Sequence, residues 1–292
     1  ELPGASAAAT PAAAIAASGP SSPALVVLKD TAAVLSLLRS PGIGERLRGR
    51  ALVNLASGNP DEGRAIADVA TEVSAGDARL IDGAYCGPPA KARAGAGQLF
   101  LSSAHADAVE SARPALERLG AVTFCGRVGA SRAFDYAVVD LFFVTLLSFM
   151  SNKAALEKEG VDIKQLCEAA KQRLDTVPAA FAQYDARMAS RSEEAYCSDT
   201  TVSLGVARNY WASRLPYNEA HGMPSHLARF YVSLLDQASG GRDGPHAGAD
   251  LSRLQEIVRY GQGDPLPDPG AVRDGGRAGP GGPEPDAKRA RT

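Results

Sequence analysis

The chain reads as an α/β domain followed by an all-α one, and two changes of pattern along its 292 residues carry that expectation. Up to about residue 126, short apolar runs alternate with amphipathic stretches, the pattern of a parallel sheet covered by helices. From Ser131 onward helical periodicity continues almost unbroken and no strand-like alternation returns. Beyond Gln262 the chain turns Pro/Gly-rich and charged, a composition that buries too little surface to fold, so a disordered tail is expected. These shifts divide the chain into 1–126, 127–261 and 262–292.

The elements follow in order. Ala24 to Asp30 is a short β-branched run ending in polar residues, a buried strand whose carboxyl end points toward a ligand crevice. Thr31 is placed to cap a helix whose apolar face is Ala32, Val34, Leu35 and Leu38, broken by Pro41-Gly42. Arg50 to Ala56 is the next strand. The helix after it runs through Val73, with Asn59 as cap, Pro60 at the first position and Asp61-Glu62 favouring the helix dipole. Strands at Ala78–Ala84, Gln98–Ser102 and Ala121–Phe124 and a helix at Ala106–Leu119 complete the first domain. Helices at 131–158, 162–173, 177–188, 200–214, 224–238 and 249–260 make up the second.

Composition narrows the function. With 31 basic and 33 acidic residues the formal charge is −2, which gives no electrostatic reason to expect nucleic acid or an anionic membrane as the main partner; small-molecule chemistry is favoured. Cys86, Cys125, Cys167 and Cys197 lie far apart in no metal-ligand spacing and read as reduced, cytoplasmic thiols. His221 and His226 stand five apart, which is not the spacing of helical metal ligands, so no metal is expected. The longest apolar stretch, Leu141 to Met150, falls short of the ~20 residues a bilayer requires. The Ala-rich start lacks the charged and apolar regions of a secretory signal, and it begins at Glu1 rather than Met, so an upstream segment is expected to have been removed or left out. Lys288-Arg-Ala-Arg291 is too short a basic run to argue for nuclear import or nucleic acid.

Few residues carry chemistry by themselves. Gly42-Ile-Gly44 with Gly49 has the glycines of a phosphate turn but follows a helix, so it reads as a loop. Ser57-Gly58-Asn59 lies between a strand and a helix, where open α/β sheets bind ligands, and is equally explained as a helix cap. Asp135 and Asp140 interrupt a long apolar helix expected to be buried. A carboxylate there must be neutralised, paired or exposed. Asp135 also suits the helix dipole of the first turn, Asp140 reads as a structural or interface acid, and Tyr136 as packing.

Several segments together carry a family resemblance. Leu52-Val-Asn-Leu-Ala-Ser-Gly-Asn-Pro-Asp-Glu62, Ile81-Asp-Gly-Ala84, Ala94-Gly-Ala-Gly-Gln-Leu99, Arg113-Pro-Ala-Leu-Glu-Arg-Leu-Gly120 and Gly129 to Asp140 resemble, in order and spacing, the β-hydroxyacid dehydrogenase superfamily. The imine reductase branch is the nearest likeness, from about Val26 to Tyr260 and including His221-Gly-Met-Pro224. Where hydroxyacid dehydrogenases carry a catalytic lysine and then an asparagine, this chain has Asp135 and Val139. The resemblance therefore implies reduction of a C=N bond, with Asp135 as proton donor or iminium stabiliser and NADPH as the hydride source. It implies a Rossmann-type sheet with Leu28, Lys29, Ser57 and Gly58 as cofactor-binding residues, and 131–158 as the interdomain helix. It also implies a homodimer with interlocked helical domains acting on a small-molecule imine, with Asn59, Tyr210 and Trp211 lining the substrate pocket; buried aromatics also simply pack.

The family's opening strand, Gly-rich phosphate turn and second strand have no counterpart. Ser6 to Ile15 resembles the segment just after that unit, so a βαβ unit of at least ~30 residues is expected to be missing, leaving the sheet N-terminally truncated with an exposed edge at Ala24–Asp30. A second reading follows from it: a catalytically inactive family member acting only as a dimerising remnant.

Overall fold

The computed structural model describes residues 6–19, 22–190, 192–198 and 200–260. The predicted tail at 262–292, with its basic Lys288–Arg291, lies outside the described residues. Two compact units divide between Ser148 and Phe149, inside one long helix, further along than the change of sequence pattern at 126/127.

In chain order the first unit holds α1 (Pro11–Ala17), β1 (Ala24–Val26), α2 (Thr31–Leu38), α3 (Ile43–Leu47), β2 (Ala51–Asn54), α4 (Pro60–Val73), β3 (Arg79–Cys86), α5 (Pro89–Arg93), β4 (Gly97–Ser102), α6 (Ala106–Leu116) and β5 (Gly120–Phe124). The first part of α7 (Ala130–Lys158) closes it. Helix α2 is capped by Asp30, whose carboxylate accepts the Ala33 amide at 2.8 Å, and not by the expected Thr31, which is its first helical residue. Asp30 has the extended backbone and the reach that a cap needs. The stretch read as a loop holds α3 with Gly42 as its cap, and Gly44 lies within that helix, where a side chain would collide with the Val73 carbonyl at the end of α4.

The five strands lie in the order β1-β2-β3-β4-β5. Pairings β1–β2, β2–β3 and β4–β5 are parallel, but β3–β4 is antiparallel, so the sheet is mixed and not parallel throughout as the alternation suggested. The physical reason is the short link: only α5 and its flanks join β3 to β4, and a parallel return needs a crossover of about a dozen or more residues.

Side-chain alternation sorts the core into two layers. Leu52 and Leu80 face Val34, Leu38, Ile43, Leu47 and Ile66 on α2, α3 and α4. Val53 and Ile81 face the opposite side, with Leu99, Leu101 and Val109 and Leu116 of α6. Burial on both faces is why β2 reads as a nearly continuous apolar run. Strand β1 is the sheet edge, with Leu25 and Val27 exposed.

Within the single chain α7 is not the buried helix its apolar run suggests. Only Ser131 and Arg132 of this helix are buried, while Leu141, Phe142, Phe143, Val144, Leu146, Leu147 and Met150 are exposed. The run is apolar around the whole circumference, so no single packed face can cover it. By length and composition alone α7 is also long and apolar enough to cross a membrane, with a mean hydropathy of 1.7 in its most apolar window. The uninterrupted run from Leu141 to Met150 is only part of that window, which spans more of the helix.

The second unit continues α7 and adds α8 (Ile163–Leu174), α9 (Val177–Ser190), α10 (Glu193–Cys197), α11 (Leu204–Ala220), α12 (His226–Ser239), a 3₁₀ turn (Leu251–Arg253) and α13 (Leu254–Tyr260). Among its described residues there is no strand, only an isolated bridge between Ser203 and Asp250. Tyr196, Leu204, Leu235, Ala238 and Ala249 form its core. Buried Asp250 ties the segments together, accepting from the Thr201 amide at 3.0 Å and the Ser252 hydroxyl at 2.6 Å and pairing with Arg187 at 2.5 Å. Helix α11 starts later than expected because Ser203 caps it, accepting from the Val206 amide, and it runs on through Pro216.

Candidate functional site

Strand β3 is longer than its neighbours, and they meet it at different heights. Its amino half pairs with β2 and its carboxyl half with β4; Asp82 alone is in register on both sides, with Asn54 and with Ser102. Because β4 runs opposite to β3, the carboxyl ends of β2 and β4 converge on that one aspartate. The last residue of each strand bonds to it: Asn54 Nδ2 donates to Asp82 Oδ1 at 2.9 Å, and Ser102 Oγ donates to the Asp82 carbonyl at 3.2 Å.

The first turn of α7 docks at the same point. Arg132 donates from Nε to Asp82 Oδ2 and from Nη2 to Asp82 Oδ1, both at 2.8 Å, a bidentate pair whose side chains are 1% and 0% exposed. Ser131 Oγ donates to the Asp82 carbonyl at 3.1 Å and lies 2.8 Å from Ser102 Oγ. A fully buried ion pair tolerates desolvation only with good geometry and further hydrogen bonds; this one has the bidentate geometry and, on the carboxylate side, the bond from Asn54.

Two glycines make room for it. A side-chain carbon on Gly63, in α4, would come 2.5 Å from Asp82 Oδ2 and 2.8 Å from Arg132 Nε. One on Gly58 would overlap Arg132 Nη1 and stand 2.7 Å from Glu62 Oε2 and 2.8 Å from Thr31 Oγ1. The buried Nη1 and Thr31 Oγ1 have no hydrogen-bonding partner. Helix α4 thus sits directly on the ion pair, and the turn before it is pressed against the guanidinium.

That turn contains three of the residues singled out in the sequence. Ser57 is exposed and Gly58 is half-buried. Asn59 closes a capping box: its Oδ1 accepts the Glu62 amide at 2.9 Å, and Glu62 Oε2 accepts the Asn59 amide at 2.7 Å. The capping explanation therefore holds for the Asn59 Oδ1. Leu28 and Lys29 are exposed just past β1, and Lys29 pairs with Asp30 at 3.4 Å at the surface. The segments after β1 and β2 leave the sheet side by side, since Val26 pairs with Asn54 and the Leu55 amide donates to the Val26 carbonyl at 2.9 Å.

Asp135 lies one turn beyond Arg132 on α7. It is half-buried, its Oδ1 is enclosed without a hydrogen-bonding partner, and burial pushes its carboxyl pKa above the usual value. Cys86, at the end of β3, is raised by burial and then by the neighbouring Asp135 charge. Asp140 and Tyr136 are exposed.

Tyr210 and Trp211 belong to the second unit, on α11. Tyr210 is exposed, while Trp211 stacks on Tyr231 with ring centres 4.6 Å apart and packs against the core. His221 ends α11 against the Tyr217 ring. Among the described residues no three His, Cys, Asp or Glu are grouped to hold a metal.

The residues missed in the sequence are those of the ion-pair network: Asn54, Asp82, Ser102, Ser131 and Arg132. A charged residue inside the apolar run Leu80-Ile81-Asp82 was a visible signal that a partner exists. The partner's identity was not visible, because Arg132 lies fifty positions away.

Residues 128–260 match the family described as NADPH-dependent reductive aminase-like, C-terminal domain. The chain superimposes on a Myxococcus stipitatus imine reductase in complex with NADP+ with a TM-score of 0.71 at 23% identity, covering 86% of this chain and 84% of that one. A Streptomyces aurantiacus imine reductase gives 0.73 at 23% identity, with 88% and 85% covered. An Aspergillus terreus reductive aminase in complex with NADPH4, cyclohexanone and allyl amine gives 0.71 at 23%, with 88% and 84% covered. No curated protein sequence matches.

Proposed function

From a chain that carries a reductive aminase-like C-terminal domain and shares the fold of imine reductases, we propose a nicotinamide-dependent reductase of C=N bonds that uses NADPH. The observation that carries the reading is Asp135: a half-buried carboxyl with an unpartnered oxygen and a raised pKa, one turn along α7 from the buried ion pair. The turn residues suit a nucleotide. Exposed Ser57 and side-chain-free Gly58 stand at the positive end of the fourteen-residue α4, beside Leu28 and Lys29.

The cofactor, when bound, supplies a hydride to the imine carbon. The chain's part is to bring a proton or a negative charge to the nitrogen. Burial keeps a fraction of Asp135 protonated at pH values where an exposed aspartate is fully ionised, which suits a proton donor; once ionised, the same group stabilises an iminium. Asn59 is proposed to contact substrate, Tyr210 and Trp211 to line a pocket they contribute to a second copy of the chain, and that second copy to cover the exposed apolar run of α7 in a homodimer.

The test is oxidation of NADPH in the presence of a cyclic imine such as a pyrroline. The wild-type protein is expected to turn over, and Asp135→Ala to be slower by about 100-fold or more. A protein that dimerises yet neither binds nor oxidises millimolar NADPH would sink this proposal in favour of a non-catalytic dimerising role.

A further inference from the structure

Asp82 and Arg132 do more than fill the interior, because each makes contact with one of the two stretches that the proposed chemistry needs. Asp82 reaches the loop after β2 through Asn54, whose Nδ2 donates to Asp82 Oδ1 at 2.9 Å while its Oδ1 accepts the Ala56 amide at 3.2 Å. Arg132 Nη1 reaches the same loop directly, against Gly58, at a separation that leaves no room for any side chain. On the other side, Arg132 is itself part of α7. Residues three apart on a helix share a face, so orienting Arg132 also orients Asp135. The Ser102–Ser131–Asp82 hydrogen bonds pin the same helical turn to the middle of β3 and the end of β4.

We propose that the Asp82–Arg132 pair is a positioning device that holds the Ser57–Asn59 turn and the Asp135 carboxyl in one rigid frame, a role resting on the reading of that turn as cofactor-binding and of Asp135 as the acid. A guanidinium suits the task better than a lysine. Two of its nitrogens are committed to one carboxylate in a planar fork, which fixes the direction in which the third points. The frame also accounts for Gly58 and Gly63, where the bulk of any side chain would push the turn or α4 away from the pair. Gly58 has no left-handed backbone, so an alanine there would displace the arginine and its neighbours without straining its own conformation.

Hydrogen–deuterium exchange on the whole chain tests the coupling without needing activity. In Arg132→Lys, peptides covering 54–60 and 130–137 are expected to exchange about tenfold faster or more, both together, while β1 is unchanged. Should that variant fail to fold, Gly58→Ala poses the same question from the other end: it must loosen 130–137 as well as its own turn. If either folded variant loosens only its own segment, the pair is not a shared frame and the proposal falls.

Activity supplies the second arm, read well below each variant's own melting midpoint so that lost stability does not enter. There kcat/KM for NADPH-dependent imine reduction is expected to drop about 10- to 100-fold in Arg132→Lys, with KM for NADPH raised and kcat lowered. Loosened exchange with full activity would overturn the positioning role. A wild-type protein that binds no NADPH would instead overturn the functional reading, and the exchange result would still decide whether the two segments are coupled.

Discussion

Asp82 and Asp135 show how one residue type takes opposite solutions to the cost of burial. Asp82 is met by the Arg132 guanidinium and by the Asn54 amide, and removing one partner of such a buried pair leaves the other uncompensated. Arg132→Met is therefore expected to cost about 3–5 kcal/mol, measured as the change in urea-unfolding free energy. Asp135 has no partner for its enclosed oxygen and takes the other course, holding its proton to higher pH. Its folded pKa lies above the unfolded value, so between the two the folded state binds the extra proton. Its penalty is absent below the ordinary carboxylate range and grows as pH rises through the folded pKa. Asp135→Asn is accordingly expected to raise the melting midpoint at about pH 7.5 and to have little effect at about pH 4. Equal shifts at both pH values would mean that desolvation does not govern this group. Asp135 was legible in the sequence as an acid out of place. Arg132 was not, since an arginine at the start of a helix normally reaches solvent, and only the fold brings it under Gly58.

Elements were most legible where the signals are local. The fourth helix begins as read from the chain because Asn59, Pro60 and Glu62 cap its amino end within four residues, and it runs through Val73 as expected. Asn59→Ala is expected to lower stability by about 1 kcal/mol in urea titrations, the usual worth of such a cap. Elements were least legible where a neighbour decides. Strand β4 carries the apolar pattern of any core strand, and its antiparallel direction comes from the short α5 connection. The long helix was recognised from its periodicity, but its exposure was not, since an all-round apolar sequence normally marks a buried helix. If a second copy covers this run, then Leu147→Glu, at a site 58% exposed in the single chain, should shift the sedimenting species from dimer to monomer. A wild-type protein that sediments as a monomer at micromolar concentration would remove that proposal.

At the scale of the whole molecule, the sheet directions meet at Asp82 and bring the loops after β1 and β2 together with the start of α7. A ligand that binds this arrangement stabilises the folded chain by mass action. NADPH at a hundred times its Kd is expected to add about 2.7 kcal/mol, visible as a raised melting midpoint, and no shift at saturating cofactor would count against the proposed function. The amino-acid sequence by itself determined the order of the five strands and the longer helices, the change from α/β to helical and the acid at 135, because periodicity, caps and a charge in an apolar run are all local properties of the chain. Only the tertiary structure decided that Asp82 pairs with Arg132, that Gly58 is a contact as well as a turn, and that β4 runs backwards. Those facts depend on which distant residues share one small buried volume, and no local pattern encodes that.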